Sequence, residues 1–305
     1  MTGGPTPPRV AVLANPSAGR HHPGELDRLA AALEAGGAVV TRIVGHRPGD
    51  LAHAASDLDV DVVAVAGGDG TLNSVVGALA ARPAPRPRLA VVAQGTANVM
   101  VAEYGLPTAV EAIAAAILAG RTRPLHLGLT RREGAADRPF FLATSAGFDA
   151  EVVHRVERRV KRRFKKLAFM VTAFGLGLRR RPPLAVELVT PEGEEKRLVV
   201  ALAIVAKSSR YGGPFRLTYE TAMDRPGLRL IALRRVGVGH LLAAALRIGL
   251  GRLEGSSNVL SIPARRLKIA STGARAIAVQ VDGDPHGTTP IEVEAIDVAL
   301  DLVVA

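Results

Sequence analysis

The chain has 305 residues, 48% of them hydrophobic and 22% charged, which is long enough for two packed domains and too apolar for disorder. The absence of cysteine excludes a disulfide framework, a thiolate zinc site and a thiol nucleophile, and the absence of Trp leaves a base-stacking platform for single-stranded nucleic acid poorly supplied. Of the formal net charge of +11, the segment from His154 to Arg181 carries +10, from eleven Lys/Arg and one Glu, so the remainder is a nearly neutral body.

From the start, MTGGPTPPR reads as a Pro/Gly tail, because the apolar run that follows it, Val10 to Ala14, is too short for a secretory signal. Short apolar runs then alternate with helical stretches. Val10 to Ala14, Ala38 to Val44, Val60 to Ala66 and Leu89 to Ala93 read as strands. Glu25 to Ala35, Asp50 to Asp57, Thr71 to Ala81 and Thr108 to Leu118 read as the helices between and after them. That rhythm predicts an α/β domain with a parallel sheet over residues 1–125.

Beyond residue 125 the pattern becomes one of strands separated by Gly, Pro and Asp. Leu125 to Thr130, Phe140 to Ala146, Ala185 to Thr190, Leu198 to Ala206 and Leu228 to Leu233 are followed by Leu267 to Ser271, Ala276 to Val281 and Ile291 to Glu294. They predict a β-sandwich-like domain over 126–305, whose last strand can return to the first domain. Two helical stretches interrupt it, from Ala150 to Leu178 and from Gly239 to Leu253. The uncharged runs Leu167 to Leu178 and Val236 to Leu246 fall short of the roughly 20 residues that cross a bilayer. The expectation is a cytoplasmic protein, peripherally associated with membrane.

Three Gly-containing turns sit where a strand passes into a helix: Asn15-Pro-Ser-Ala-Gly19, Gly67-Gly-Asp-Gly-Thr71 and Gln94-Gly-Thr-Ala-Asn98. Open parallel sheets bind ligands at that end of their strands. Glycine admits close backbone approach, and Ser17, Thr71 and Thr96 supply hydroxyl donors, so the set reads as a polyphosphate cradle. Asp69 would repel a phosphate unless a divalent cation or a hydroxyl proton lies between them; its plainer alternative is an Asx-turn. Neither the Walker lysine pattern nor the dinucleotide GxGxxG fingerprint is present.

These turns, with Gly67-Gly-Asp-Gly-Thr-Leu-Asn-Ser-Val-Val-Gly77, Tyr104-Gly-Leu-Pro107, Ala146-Gly-Phe-Asp-Ala150, the segment from Tyr211 to Arg216 and Asp282-Gly-Asp284, resemble the diacylglycerol kinase catalytic-domain family, bacterial lipid kinases related to sphingosine and ceramide kinases. The Gly-Gly-Asp-Gly-Thr turn alone is shared with NAD kinases. The resemblance implies an ATP- and Mg²⁺-dependent kinase acting on a lipid hydroxyl, with the site between an α/β nucleotide domain and a β-rich lipid domain. It places the phosphates on Asn15, Ser17, Gly19, Gly67, Gly68, Asp69, Gly70, Thr71, Asn73, Gly95, Thr96 and Asn98. Catalysis falls to Asp69 and to Asp284, the proton acceptor, whose plainer reading is a surface turn between strands.

Three positions depart from the family pattern. Ser74 and Val99 stand where acids are common, and Pro226 stands where the family's structural Mg²⁺ loop has its carboxylate, leaving Asp224 as the nearby metal candidate. A non-catalytic nucleotide- or lipid-binding homologue and an NAD kinase-like enzyme are the alternatives.

The basic segment follows helical spacing. Val152, Val156, Val160, Phe164, Leu167, Val171, Phe174 and Leu178 form one stripe, and Arg155, Arg158, Arg162 and Lys165 form another. This predicts docking of 154–181 on an anionic membrane, with packing of the apolar stripe on the β-rich domain as its plainer counterpart. No helix-turn-helix, zinc-finger or RNP pattern accompanies the charge, so nucleic acid is not an expected partner. Oligomeric state is left open, a homodimer included.

Overall fold

The computed structural model describes residues 6–19, 23–47, 49–155, 182–211, 213 and 215–305. The chain divides into two compact units, Met1–Leu125 with Val298–Ala305, and His126–Asp297.

The first unit alternates strand and helix: β1 (Arg9–Ala14), α1 (Pro23–Ala35), β2 (Val39–Val44), α2 (Asp50–Asp57), β3 (Val62–Gly67), α3 (Asp69–Ala81), β4 (Arg88–Ala93), α4 (Val99–Tyr104) and α5 (Val110–Ala119). The strands run parallel in the order β2-β1-β3-β4, and the chain end adds the pair Leu302 with Leu89. Strands β1 and β3 are buried along nearly their whole length because the sheet is covered on both faces. Val10, Val12, Ala14, Val62 and Ala64 share one core with Leu29 and Leu33 of α1 and Ile113 and Ile117 of α5. Helices α2 and α3 pack on each other, and α3 also packs on β3. The chain leaves β1 toward β2 on one side and reaches β3 on the other, so the strand order reverses between β1 and β3. Such a reversal opens a crevice at the carboxyl ends of the strands.

Strand β5 (Thr122–Arg131) carries the chain into the second unit. There follow β6 (Arg138–Phe140), β7 (Ala143–Ala146), α6 (Phe148–Arg155), β8 (Leu184–Val189), β9 (Glu195–Val200), β10 (Leu202–Ala206), β11 (Arg210–Tyr211), β12 (Phe215–Arg216) and β13 (Leu228–Leu233). The last elements are α7 (Val238–Gly249), β14 (Val259–Ala264), β15 (Arg266–Ser271), β16 (Ala278–Val281), β17 (Asp284–Thr288) and β18 (Ile291–Val303). An antiparallel sheet in the order β14-β13-β10-β7-β16-β17 faces the antiparallel ladder β18-β15-β8-β9. Their inner faces meet in one core that includes Leu188, Val205, Leu230, Leu267, Val279 and Val293. Every residue of β13 is buried, because Leu228, Leu230 and Ala232 enter that core while Ile231 and Leu233 enter a second one beneath α7.

Two sequence expectations change in instructive ways. The run from Phe140 to Ala146 is two strands, because the amides of Phe141, Leu142 and Ala143 donate to the Asp282 carboxylate at 3.1, 3.0 and 2.9 Å. The run from Leu198 to Ala206 breaks at Ala201, where the chain leaves the β8-β9 ladder and joins the other sheet. Helix α3 begins two residues before the expected Thr71, which puts Asp69 and Gly70 in its first turn. Helix α6 covers the start of the long helix expected from Ala150; residues 156–181 of that expectation lie outside the described residues.

Candidate active site

In the first unit the three glycine turns converge at the carboxyl ends of β1, β3 and β4, and they are tied pairwise. Asn15 Nδ2 donates to Thr71 Oγ1 at 2.8 Å, and Asn15 Oδ1 accepts from the Ser17 amide at 2.9 Å. A Cβ on Gly95 would lie 2.5 Å from Gly68 Cα and 2.6 Å from Asn98 Oδ1, so the second and third turns touch backbone to backbone. A Cβ on Gly67 would fall 2.7 Å from Thr71 Cβ. These glycines are required by contact rather than by dihedral freedom.

Asp69 joins the same two turns. Its Oδ1 accepts from the Val99 amide at 2.9 Å, at the first residue of α4. Burial pushes its carboxyl upward, and the amides of Val99 and Asn98 partly offset the shift. The sequence assigns Asp69 to catalysis. In the structure its carboxylate bridges the turns after β3 and β4. Asn98 closes its own loop, accepting from the Gly95 amide at 2.9 Å and donating to the Gly95 carbonyl at 3.1 Å, in a left-handed conformation with φ 46°.

What faces solvent in this cradle is short and mostly backbone. Ser17, Gly19, Gly70 and Thr96 are exposed, and Gly68, the N-cap residue of α3, has no side chain to cap the first turn. Gly67, Asn73 and Gly95 of the expected set are buried; Asn73, only 6% exposed, lies in α3 with Leu72, Val75 and Val76.

In the second unit Asp282 and Gly283 form a two-residue hairpin turn between β16 and β17, both with positive φ (48° and 82°). The two acids of this turn have different tasks. Asp282 is saturated by the three amides of 141–143; burial pushes its carboxyl up to about 7, against the pull of those amides and of Arg138. Asp284 is the accessible one, its side chain 45% exposed, with Oδ2 accepting from the Arg138 guanidinium at 2.9 Å.

Behind the turn lies a hydrogen-bond network. Gln280 Oε1 accepts from the Gly283 amide at 2.7 Å, while Gln280 Nε2 donates to Ser145 Oγ at 2.8 Å and contacts Tyr211 Oη at 3.3 Å. Tyr211 donates to Asp149 Oδ2 at 2.6 Å, and Ser145 donates to the same oxygen. Burial raises the Asp149 carboxyl, and burial together with the charge of Asp149 raises the Tyr211 phenol. Thus Asp149, Tyr211 and the 282–284 turn, read from sequence as separate motif segments, are one connected support. Gln280, Ser145 and Arg138 were missed: an isolated Gln, Ser or Arg in a strand carries no local signal; strand pairing sets Gln280 opposite Ser145, and Arg138 reaches Asp284 from β6.

The metal expectation at Asp224 meets a different occupant. In the loop from Ala222 to Gly227 the carbonyl oxygens of Ala222, Arg225 and Gly227 accept from Lys207 Nζ. Among the described residues no cluster of three His, Asp or Glu side chains could hold an ion. The residues present at this loop do not fit a structural divalent cation.

Residues 9–130 match the family model described as the diacylglycerol kinase catalytic domain, and residues 143–304 match the YegS C-terminal NAD kinase beta sandwich-like domain. The chain is 28% identical over 301 residues to a diacylglycerol kinase of Mycobacterium tuberculosis, covering 97% of this chain and 94% of that protein. It is 24% identical over 289 residues to a diacylglycerol kinase of Bacillus subtilis, covering 93% and 92%. Among solved structures, a diacylglycerol kinase from Bacillus anthracis superposes with a TM-score of 0.74 at 18% identity, covering 97% of both chains. An NAD kinase from Archaeoglobus fulgidus in complex with ATP superposes at 0.53 and 15% identity, covering 97% of this chain and 93% of that one. With both units matched and the motif segments in place, the chain belongs to the diacylglycerol kinase catalytic-domain family and is a lipid kinase-like protein of the NAD kinase-like fold.

Proposed function

We propose that the protein transfers the γ-phosphoryl group of ATP to a hydroxyl of diacylglycerol or a related lipid. The observation that carries this reading is the cradle of three interlocked turns at the strand-order reversal, with solvent-facing amides and hydroxyls and no side-chain cap on α3. Phosphoryl transfer asks the protein chiefly for alignment and for electrostatic support. The first-turn amides of α3, with Ser17, Gly19, Gly70 and Thr96, bind the phosphates. Thr71 is oriented by Asn15, and Asp69 locks the turns in register. When bound with the nucleotide, Mg²⁺ neutralises charge on the phosphate oxygens.

Asp284 takes the proton from the attacking hydroxyl. It is the accessible carboxylate of its turn, Arg138 orients it, and Asp282 is already committed to backbone amides. The acceptor is amphiphilic, which fits docking of the basic segment 154–181 on an anionic membrane; residues 156–181 of that segment lie outside the described residues. No described helix is long and apolar enough to cross a bilayer.

The test is a phosphorylation panel with labelled ATP, with and without Mg²⁺, offering diacylglycerol, ceramide, sphingosine and NAD. Labelled lipid is the expected result. ATP binding without any labelled lipid makes the chain a non-catalytic homologue, and labelled NAD alone makes it an NAD kinase-like enzyme.

A further inference from the structure

Lys207 follows β10 and is fully buried, although burying an ammonium is costly unless it is fully hydrogen-bonded. Its three protons have three acceptors in one loop: the carbonyls of Ala222 at 3.2 Å and Gly227 at 3.1 Å, and that of Arg225. The loop is fixed from other directions as well. Its Met223 carbonyl accepts from the His126 amide at 2.9 Å, Arg225 closes a turn onto Ala222 at 3.2 Å, and Gly227 has φ +86°. Converging carbonyl oxygens are also what a hard divalent cation uses. Here they are taken, and Pro226 offers no carboxylate. The His126 imidazole is held below its ordinary range first by burial and next by the charge of Lys207, as expected beside a cation.

We infer that the Lys207 ammonium is a built-in cation that folds the 222–227 loop, so the second unit is ordered without a divalent ion. Thermal unfolding of the nucleotide-free protein tests this directly. In EDTA and in millimolar MgCl₂ or CaCl₂ the Tm should agree within about 1 °C; a saturable rise of about 4 °C or more with either ion overturns the inference. Lys207→Met keeps the stem and removes the ammonium from three carbonyls, of which Ala222 retains the Arg225 amide. It should lower Tm by several degrees, about 2–4 °C per kcal/mol for a unit of this size, with no rescue by Mg²⁺. A variant as stable as the parent overturns the inference. Should Lys207→Met fail to fold, native-state acetylation read by mass spectrometry decides: Lys196 and Lys268, both exposed, should be modified while Lys207 is spared. Equal modification of Lys207 overturns it.

A second, independent observation concerns α7. Its inner face, Leu241, Ala244 and Ile248, packs on the core beneath it. Its outer face carries Leu242 and Leu246, continued by Leu250 at the C-cap, spaced four residues apart and 65%, 65% and 62% exposed. Exposed Phe215 and Tyr219 extend the apolar surface, the latter at the end of α7, where a Cβ on Gly251 would meet Tyr219 Oη at 2.8 Å. A helix with apolar residues on both faces leaves one for a partner. The stretch from Arg234 to Leu253 has four arginines (Arg234, Arg235, Arg247 and Arg252) and no acid, and Arg216 stacks on Tyr219. Leucines and aromatics among cations match an anionic lipid surface.

The geometry points to the outer face of α7 as a docking surface for an anionic bilayer, an inference that rests on the lipid-kinase reading. Sedimentation with phosphatidylcholine vesicles, with and without phosphatidylglycerol, should show binding that needs the anionic lipid and falls at least tenfold in Leu242→Asp/Leu246→Asp. Activity on a short-chain diacylglycerol in detergent should be kept. Unchanged vesicle binding overturns the surface. So does a parent dimer that the variant dissociates, which identifies a second copy as the occupant, or a Tm collapse in the variant, which identifies cover by the chain itself. Vesicle binding without any lipid kinase activity instead removes the lipid-kinase reading and leaves the surface standing.

Discussion

The two units would meet the tasks proposed for them with opposite materials. The first presents backbone: glycines in contact, uncapped amides and two small hydroxyls, held by short bonds between neighbouring turns. The second presents one side chain, Asp284, and supports its turn with a buried network of Gln280, Ser145, Tyr211 and Asp149. A phosphate chain needs many weak donors at close range, which backbone supplies at little entropic cost. A proton acceptor needs one carboxylate at a defined position, which requires fixed side chains behind it. Damage should therefore be steric in the first unit and electrostatic in the second.

The largest effect is expected at Asp284→Asn, which should lower kcat by about 10²–10⁴-fold while ATP affinity stays within about twofold. Retained turnover with ATP binding intact would remove Asp284 from its role. Next is Gly95→Val, where the new side chain meets Gly68 Cα and Asn98 Oδ1. It should cost about 1–3 kcal/mol of stability and weaken ATP binding at least about tenfold, by denaturation and calorimetry respectively. Gly77→Ala, in α3 but outside the cradle, is the matched control, since a Cβ there meets nothing within 4 Å. If both variants behave alike, the cradle does not depend on close backbone approach.

Tyr211→Phe removes the hydroxyl that Asp149 accepts and that Gln280 contacts, so it should cost about 1–2 kcal/mol. It should also lower kcat more than it changes KM for ATP. An unchanged kcat would confine the network to stability. A pH dependence is expected at Asp282. Its carboxyl is raised in the folded protein to about 7, so the folded state holds a proton that the unfolded chain releases at lower pH. The corresponding stability is complete below the ordinary carboxyl range and is lost as pH rises through about 7. Melting temperatures measured across that window should fall for the parent and be flatter for Asp282→Asn; parallel curves would contradict the shift.

The sequence by itself was informative where structure is local. Strand-helix alternation located β1 to β4 and the helices α1, α2, α3 and α5, though not α4, within a few residues, because apolar period and glycine placement are properties of short windows. The same holds for the three turns, whose glycines are visible as letters. A turn between strands was the plainer of the two readings of Asp282-Gly-Asp284, and a hairpin turn is found there, with Asp282 and Gly283 left-handed. The sequence did not separate the tasks of Asp282 and Asp284. Their difference comes from the amides of 141–143, about 140 residues away in the chain. Asp69 was read as catalytic because a carboxylate among glycines is chemically conspicuous; that it bridges to Val99 depends on β3 and β4 being neighbours.

Lys207 marks the same boundary. As a single letter after an apolar strand it looks like a chain-end lysine, and Pro226 looks like a lost ligand. Only the folded loop shows the ammonium among the three carbonyls where a metal was expected. Composition and period determined the fold class and the turns, because burial and backbone conformation are written in adjacent residues, while the motif segments carried the resemblance to the family. Tertiary structure decided which carboxylate is accessible, which bridges and which cation orders the loop, because hydrogen bonds join residues that only strand pairing and packing bring together.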